Sequence, residues 1–394
     1  MKTGFSSFGD SVKGSVFKTS NGAEEYYFVI ASKGDTSFER ELERILVISD
    51  AIKTEYGLSD DTQVFCRIYL SDIVNQENTL LKSGLYREAG KGAVSVIQQR
   101  PVADGSVCMF HYHVKGLDQA IQKEMLNLDD GRWRNGVLMR GKDYDMLWVA
   151  NIAGFQPENT HDQTWKVFEA YNAILQGQGM TLLGNSIKTW VYVDDIDNYY
   201  RQMVGARRDF FLGHGLTPET RYIASTGVEG KSWGTGSLVS LDALAVSRLK
   251  EEQIIPMNAF DRIPPTINYG VTFERGLRVR FGDRSHLHIS GTASINRNGE
   301  VLHASDVGRQ TRHTLDNIKA LINPHGASLH DFVYLIVYLR SYQDNGKVRA
   351  VLDEEVPGEI PVIFVEGPIC RKEWLVEIEG LAIISDSNSF GLFF

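Results

Sequence analysis

A block that recurs three times most constrains what this chain can fold into. Each copy runs from a strand to an amphipathic helix ended by glycine, then to an apolar strand bearing a tyrosine. The first copy is the strand Glu24–Gly34, the helix Ser37–Gly57 and the strand Thr62–Asp72. The second is Asp145–Gly154, Gln163–Gly179 and Ser186–Asp195, and the third His286–Ile295, Arg309–Leu329 and Asp331–Ser341. From Gly57 to Tyr69, Gly179 to Tyr192 and Gly326 to Tyr338 the steps are 12, 13 and 12 residues. Regular spacing at a fixed element order is the mark of a repeated supersecondary unit. Helices cover only one face of such a small sheet, so its other face needs a partner.

The third copy is the most regular. Its helix places Leu315, Ile318, Leu321 and Ile322 on one buried face. Asn323-Pro324-His325-Gly326 ends it, because proline cannot continue a helix and glycine suits a left-handed exit. The segment closes with Pro361–Ile384. There Leu375, Glu377 and Glu379 share one side of a strand, and Val376, Ile378 and Gly380 the other. Packing alone does not select two carboxylates on one face of a strand otherwise built for burial. At the matching places the second copy, Gly236–Val246, has Ser240 and Asp242. The first, Ser106–Gly116, has neither carboxylate clearly placed. One cleft is therefore expected to be chemical and the others structural.

Composition narrows the function. The 394 residues exceed one ordinary domain, and 42% hydrophobic content can fill sizeable cores. A net charge of −9 disfavours nonspecific nucleic-acid binding. Cys66, Cys108 and Cys370 are too few and too scattered for a disulfide framework or a thiolate zinc site. His111/His113 and His286/His288 could each chelate from one strand face, but neither pair has a third ligand at recognisable spacing, so no metal is expected. The opening MKTGFSSFGDSVKG lacks the apolar core of a signal peptide, and no run approaches 18 apolar residues. The expectation is a cytoplasmic protein with no membrane and no nucleic-acid partner. Thr220–Gly236 nearly spells a P-loop, but Ser225 stands where the motif needs glycine and no helix follows Ser232, so nucleotide binding is rejected. Arg207 and Arg208 are expected on a solvated helix face.

The element order of the last copy, with SGTAS, Gln310, Asn317-Ile318, Gly326-Ala327-Ser328, Tyr338-Leu339 and VEIEGLAI in register, resembles the RidA/YjgF superfamily of reactive-intermediate deaminases, often labelled L-PSP endoribonucleases. The ending ICRKEWLVEIEG is closer to the chorismatase branch. The resemblance implies an α+β fold of tandem RidA/YjgF-like (chorismate mutase-like) modules, each a mixed sheet with helices on one face. RidA proteins are typically homotrimers, so three modules in one chain imply an intrachain pseudo-trimer, acting as a monomer or assembling further as a homo-oligomer. The alternative is two modules behind a divergent N-terminal domain. The divisions are placed at 1–120, 121–262 and 263–394, the last matching best.

Carried over residue by residue, the resemblance assigns Glu377 as the acid/base of a cofactor-independent enzyme. A carboxylate among Leu375, Val376 and Ile378 should be desolvated and its pKa raised, which suits proton transfer near neutral pH. The alternative is a structural carboxylate. Around it the resemblance gathers Arg371 and Arg221 as carboxylate grips, then Ser225, Thr226, Ser290, Gly291, Thr292, Glu379 and Cys370 as substrate contacts. Cys370 reads as packing more than as a nucleophile. One position departs from the deaminase pattern: the arginine expected two residues after Pro361 is Ile363. Three functions follow for a small carboxylated metabolite as ligand. They are chorismatase-like hydrolysis of an enol ether, RidA-type deamination of an imine or enamine, or binding and scaffolding without catalysis. The number of arginines converging on Glu377 separates them: two or more favour a dicarboxylate, one a 2-imino acid and none the scaffold.

Overall fold

The computed structural model describes residues 8–9, 11–116, 121–127, 136–154, 159–233 and 236–394. Part of the first intermodule connector, and the opening seven residues, lie outside that set. Three six-stranded mixed sheets account for the strands. The first holds β1 (Val12–Phe17), β2 (Glu24–Ala31), β3 (Gln63–Leu70), β4 (Ala93–Gln98) and β5 (Val107–Lys115). The second is built from β6 (Gln122–Leu126), β7 (Gly136–Arg140), β8 (Asp145–Ala153), β9 (Ser186–Val193), β10 (Ala224–Glu229) and β12 (Val239–Val246). Between the last two, β11 (Lys231–Ser232) crosses over to pair with β4 of the first sheet. The third contains β13 (Ile254–Pro256), β14 (Gly276–Arg280), β15 (Arg284–Ala293), β16 (Phe332–Leu339), β17 (Val362–Glu366) and β18 (Val376–Ser385).

The five main strands are ordered alike in every sheet: β1-β2-β5-β3-β4, β7-β8-β12-β9-β10 and β14-β15-β18-β16-β17. In each, the last two strands of the order are parallel and the rest antiparallel. The three-module reading therefore holds over a divergent first domain. The third sheet draws its edge strand from Ile254, upstream of the boundary placed at 263.

Helices lie on one face of each sheet: α1 (Phe38–Tyr56), α2 (Ile73–Lys82) and α3 (Gly84–Ala89) on the first, α4 (Thr160–Gly177), α5 (Leu182–Asn185) and α6 (Ile196–Gly213) on the second, α7 (Val307–Ile322) and α8 (Asn345–Glu355) on the third. The glycine that ends α1 adopts the left-handed conformation (Gly57, φ 61°). In the third module α7 stops at Ile322, and a 3₁₀ turn through Pro324 carries the chain to Gly326 at φ 79°. Each module closes its own sheet-to-helix core, such as Leu315, Ile318, Val376 and Ile378 in the third. The opposite faces meet in one shared core that takes Tyr27, Phe110 and Tyr112 from the first sheet, Trp148 and Trp190 from the second, and Tyr334 and Tyr338 from the third. Burying that face against two copies of the same fold is what a pseudo-trimer provides, and each sheet touches both others.

Candidate active site

Register makes the modules comparable residue by residue. Tyr338 pairs with Glu377, Tyr192 with Ser240 and Tyr69 with Cys108, so these three positions are equivalent. Two residues on, Glu379, Asp242 and Phe110 correspond. Strand alternation turns Val376 and Ile378 toward α7 and leaves Glu377 and Glu379 facing the neighbouring module. The two carboxylates then diverge in role.

Glu379 is bound on every side. It accepts from Trp190 Nε1 at 2.7 Å, from Tyr338 hydroxyl at 2.6 Å and from Thr226 Oγ1, and it pairs with Lys188 Nζ at 2.7 Å. Burial opposes its charge, but the Lys188 ammonium and these hydrogen bonds outweigh it and hold the carboxyl below its ordinary range. Lys188 also donates to Thr226 Oγ1 and to the Ile289 carbonyl, both at 2.9 Å. Glu379 and Thr226 therefore bolt the second module to the third, and neither lines the cavity beside them.

Glu377 is only 4% exposed and, among the described residues, accepts no hydrogen bond. Burial, followed by the repulsion of Glu379, pushes its carboxyl up to about 8, against the pull of Lys188 and Arg275. Its oxygen lies over Gly291, where an added Cβ would stand 2.1 Å from Oε1. Glycine at that place is what lets the carboxyl fit.

The carboxyl opens into a cavity of about 100 Å3 between the second and third modules. Ser225, Gly291, Cys370, Arg371 and Glu377 line it as the sequence suggests. Ser225 Oγ accepts from Thr189 Oγ1 at 2.9 Å and from Arg207 Nη1 at 3.4 Å. Burial pushes the Cys370 thiol up to about 12, which leaves it a packing group and no thiolate nucleophile. Arg371 donates to the Gly299 carbonyl at 2.8 Å and stacks over Trp374 at 4.8 Å.

Besides Glu379, four expected contacts are not brought to the cavity. Arg221 is buried, but its guanidinium serves the carbonyls of Ser186 and Tyr222 at 3.1 Å and that of Leu183, closing the second module's own loop. Ser290 Oγ accepts from Ser225 N at 2.9 Å and donates to the Glu274 carbonyl at 2.6 Å. Thr292 Oγ1 donates to the Ser290 carbonyl at 3.0 Å. Thr226 completes the set, since its hydroxyl accepts from Gly291 N at 3.0 Å as well as from Lys188. That bond also removes the Gly291 amide as a ligand donor.

Two arginines take the place of Arg221. Arg207, expected in solvent, is 2% exposed and lines the cavity from α6, while Arg208 beside it is exposed. Its spacing from Met203 and Phe210 puts it on the buried face, a signal present in the sequence. Arg275, at the end of the loop between β13 and β14, is 5% exposed and lines the cavity too. The Nε of both lacks a partner. Among the described residues, none of Arg207, Arg275 and Arg371 forms an ion pair with a carboxylate. Three guanidiniums thus face one small cavity whose own carboxyl is neutral below about pH 8.

The histidine pairs lie elsewhere. His111 and His113 are buried in the first module, His286 Nε2 contacts Glu25 Oε1 at 2.9 Å, and His288 faces the shared core. The described residues contain no group of three His, Cys, Asp or Glu able to hold a metal, and no helix long and apolar enough to cross a membrane.

A family model described as Endoribonuclease L-PSP matches residues 279–384. The 3-aminoacrylate deaminase RutC of Acinetobacter baylyi (strain ATCC 33305 / BD413 / ADP1) is 31% identical over 97 residues, which are 24% of this chain and 77% of that protein. A crystal structure of a chorismatase matches 93% of this chain and 100% of its own, at 19% identity and a TM-score of 0.64. At that identity the match speaks for the fold, and it extends to all three modules.

Proposed function

The chain belongs to the RidA/YjgF superfamily, and from that premise we propose that it is a cofactor-independent enzyme that hydrolyses an enol ether of a small dicarboxylic acid. The observation that carries this reading is the set of three guanidiniums without carboxylate partners, Arg207, Arg275 and Arg371, around the protonated Glu377. Buried cations require anions, and guanidinium binds carboxylate in a two-pronged geometry, so a ligand with two acidic groups satisfies the cavity best.

Glu377 supplies the chemistry. As a neutral acid it donates its proton to the terminal carbon of the enol ether, leaving an oxocarbenium ion held beside the guanidiniums. Water adds to the oxygen-bearing carbon of that ion and gives its proton back to the carboxylate. The hemiketal then breaks into an alcohol and a 2-oxo acid. Glu379 stays ionised against Lys188 throughout, and burial together with the Glu379 charge keeps Glu377 protonated. Because all three modules are in one chain, a monomer suffices for this cleft.

The similarity to RutC favours a second reading, deamination of an enamine. Against it, Ile363 on β17 is buried in the shared core, so the deaminase-type arginine is missing from that position. Incubating the protein with chorismate, and separately with 3-aminoacrylate, separates the two. The proposal expects pyruvate from the first and no accelerated ammonia release from the second. Ammonia without pyruvate would replace it with the deaminase reading, and binding without either product would favour a scaffold.

A further inference from the structure

Tyr269 ends the 3₁₀ turn Thr266–Tyr269 on the loop between β13 and β14, just before Gly270 at φ 82°. Its ring centre lies 5.4 Å from the Arg275 guanidinium and 5.3 Å from that of Arg371, and its hydroxyl accepts a hydrogen bond from Arg275 Nη2. The series continues on both sides. Arg371 stacks over Trp374 at 4.8 Å, while Phe273 lies 5.5 Å from Arg275 and 5.9 Å from Arg207. Rings and guanidiniums therefore alternate along one wall of the cavity, in the order Trp374, Arg371, Tyr269, Arg275, Phe273, Arg207.

Such stacking covers the faces of a guanidinium and leaves its N–H edges for a ligand. It also fixes positions. A tyrosine ring turns about two bonds and is rigid, whereas a free arginine side chain samples many rotamers. We propose that Tyr269 is a specificity-determining residue: it sets the separation of Arg275 and Arg371, and thereby selects dianions by the distance between their two acidic groups. The inference rests on the dianion reading of the cavity given above. It adds that the selection is made by the loop between β13 and β14, a segment outside the repeated strands and helices.

Calorimetric titration of the full chain with malonate, succinate, glutarate and adipate tests it. Wild type should prefer one length over its neighbours by about tenfold, the usual cost of a misplaced methylene. Tyr269→Leu removes the spacer and should flatten the preference to within about twofold while some affinity remains. Tyr269→Trp keeps a ring but enlarges it, and should move the optimum to a longer acid; it decides the matter if the leucine variant does not fold. If wild type binds none of the four acids, the dianion reading fails and takes this inference with it. If wild type discriminates and the folded variants rank the acids as it does, the dianion reading stands and Tyr269 has no part in selection.

Discussion

At the seam between the second and third modules, Glu379 pairs with Lys188 at 2.7 Å; at the seam between the first and second, the equivalent Asp242 pairs with Arg67 at 2.8 Å. Both pairs are buried, and both tie a closing strand to the sheet of its neighbour. The position beside them differs. The first seam has Glu377 over Gly291, whereas the second has Ser240 and, in the corresponding bulge of β8, Asn151 at φ 49°. The Asn151 side chain accepts from Val96 N at 2.6 Å and donates to Ser232 Oγ at 3.3 Å, and its amide donates to Asp242 at 2.8 Å. With β11 laid across, that seam is stitched shut. At the third seam Phe110 meets Tyr334, ring centres 4.9 Å apart, and no charge is left at the position. Covalent fusion has let equivalent positions serve as bolt, plug and acid. Pairing a seam holds the modules together, and the seam that also keeps glycine and a second carboxylate is the one where that carboxylate opens into a cavity.

The contrast breaks most sharply at Glu377. Glu377→Gln keeps shape but cannot exchange a proton, and should lower turnover by roughly a hundredfold to ten-thousandfold. Ser240→Ala, at the equivalent place in the stitched seam, should leave it unchanged. A glutamine variant that turns over at the wild-type rate would remove Glu377 from the mechanism.

Next come the two ion pairs. Lys188→Met and Arg67→Met each strand a buried carboxylate and should lower stability by about 3–5 kcal/mol in chemical denaturation. Only the first should also lower turnover, because only Glu379 adjoins Glu377. Equal losses of activity at equal stability would dissolve the distinction between the two seams.

A smaller effect sharpens the role of Gly291. Gly291→Ala forces a methyl to within 2.1 Å of Glu377 Oε1, so the carboxyl must move. Overpacking of this kind costs about 1–3 kcal/mol. The same change should displace the acid and cut turnover at saturating substrate more than it raises KM. Wild-type kcat in that variant would show that the glycine is dispensable.

Much of this was written in the sequence in the form of periods. The threefold glycine-to-tyrosine step located all three sheets, and strand alternation placed Glu377 and Glu379 on the intermodule face. Burial with a raised pKa followed for Glu377 because its neighbours are aliphatic. Arg275 carried no such signal: it sits at the end of the loop between β13 and β14, where no period applies, and only the fold brings that loop over the cleft. Arg207 was legible from its helical spacing to Met203 and Phe210, but its charge argued for solvent. Arg221 failed for the opposite reason. The resemblance put it in the cleft, yet the carbonyls of Leu183 and Ser186, unseen in sequence, were nearer. Hydroxyls were the least readable, since Ser225 and Thr226 are adjacent and strand alternation gives one to the cavity and the other to the Lys188–Glu379 bolt.

The mildest test uses pH. Burial, with the repulsion of Glu379, pushes the Glu377 carboxyl up to about 8 in the folded protein, from an ordinary value of about 4.5 in the unfolded chain. Between those values the folded state holds a proton that the unfolded state has lost, so stability falls as pH rises through the window. In the proposed mechanism the same proton is donated to the substrate, so turnover should be full well below pH 8 and decline above it. Glu377→Gln has nothing to titrate there. Its melting temperature should depend less steeply on pH between about 5 and 8 than that of wild type. Ser240→Asp, at the equivalent place, should not reproduce the wild-type slope on top of the glutamine change unless the stitched seam also desolvates it without a partner. Parallel slopes for wild type and Glu377→Gln would mean that the carboxyl is ionised at neutral pH, and the acid would have to be sought elsewhere in the cavity.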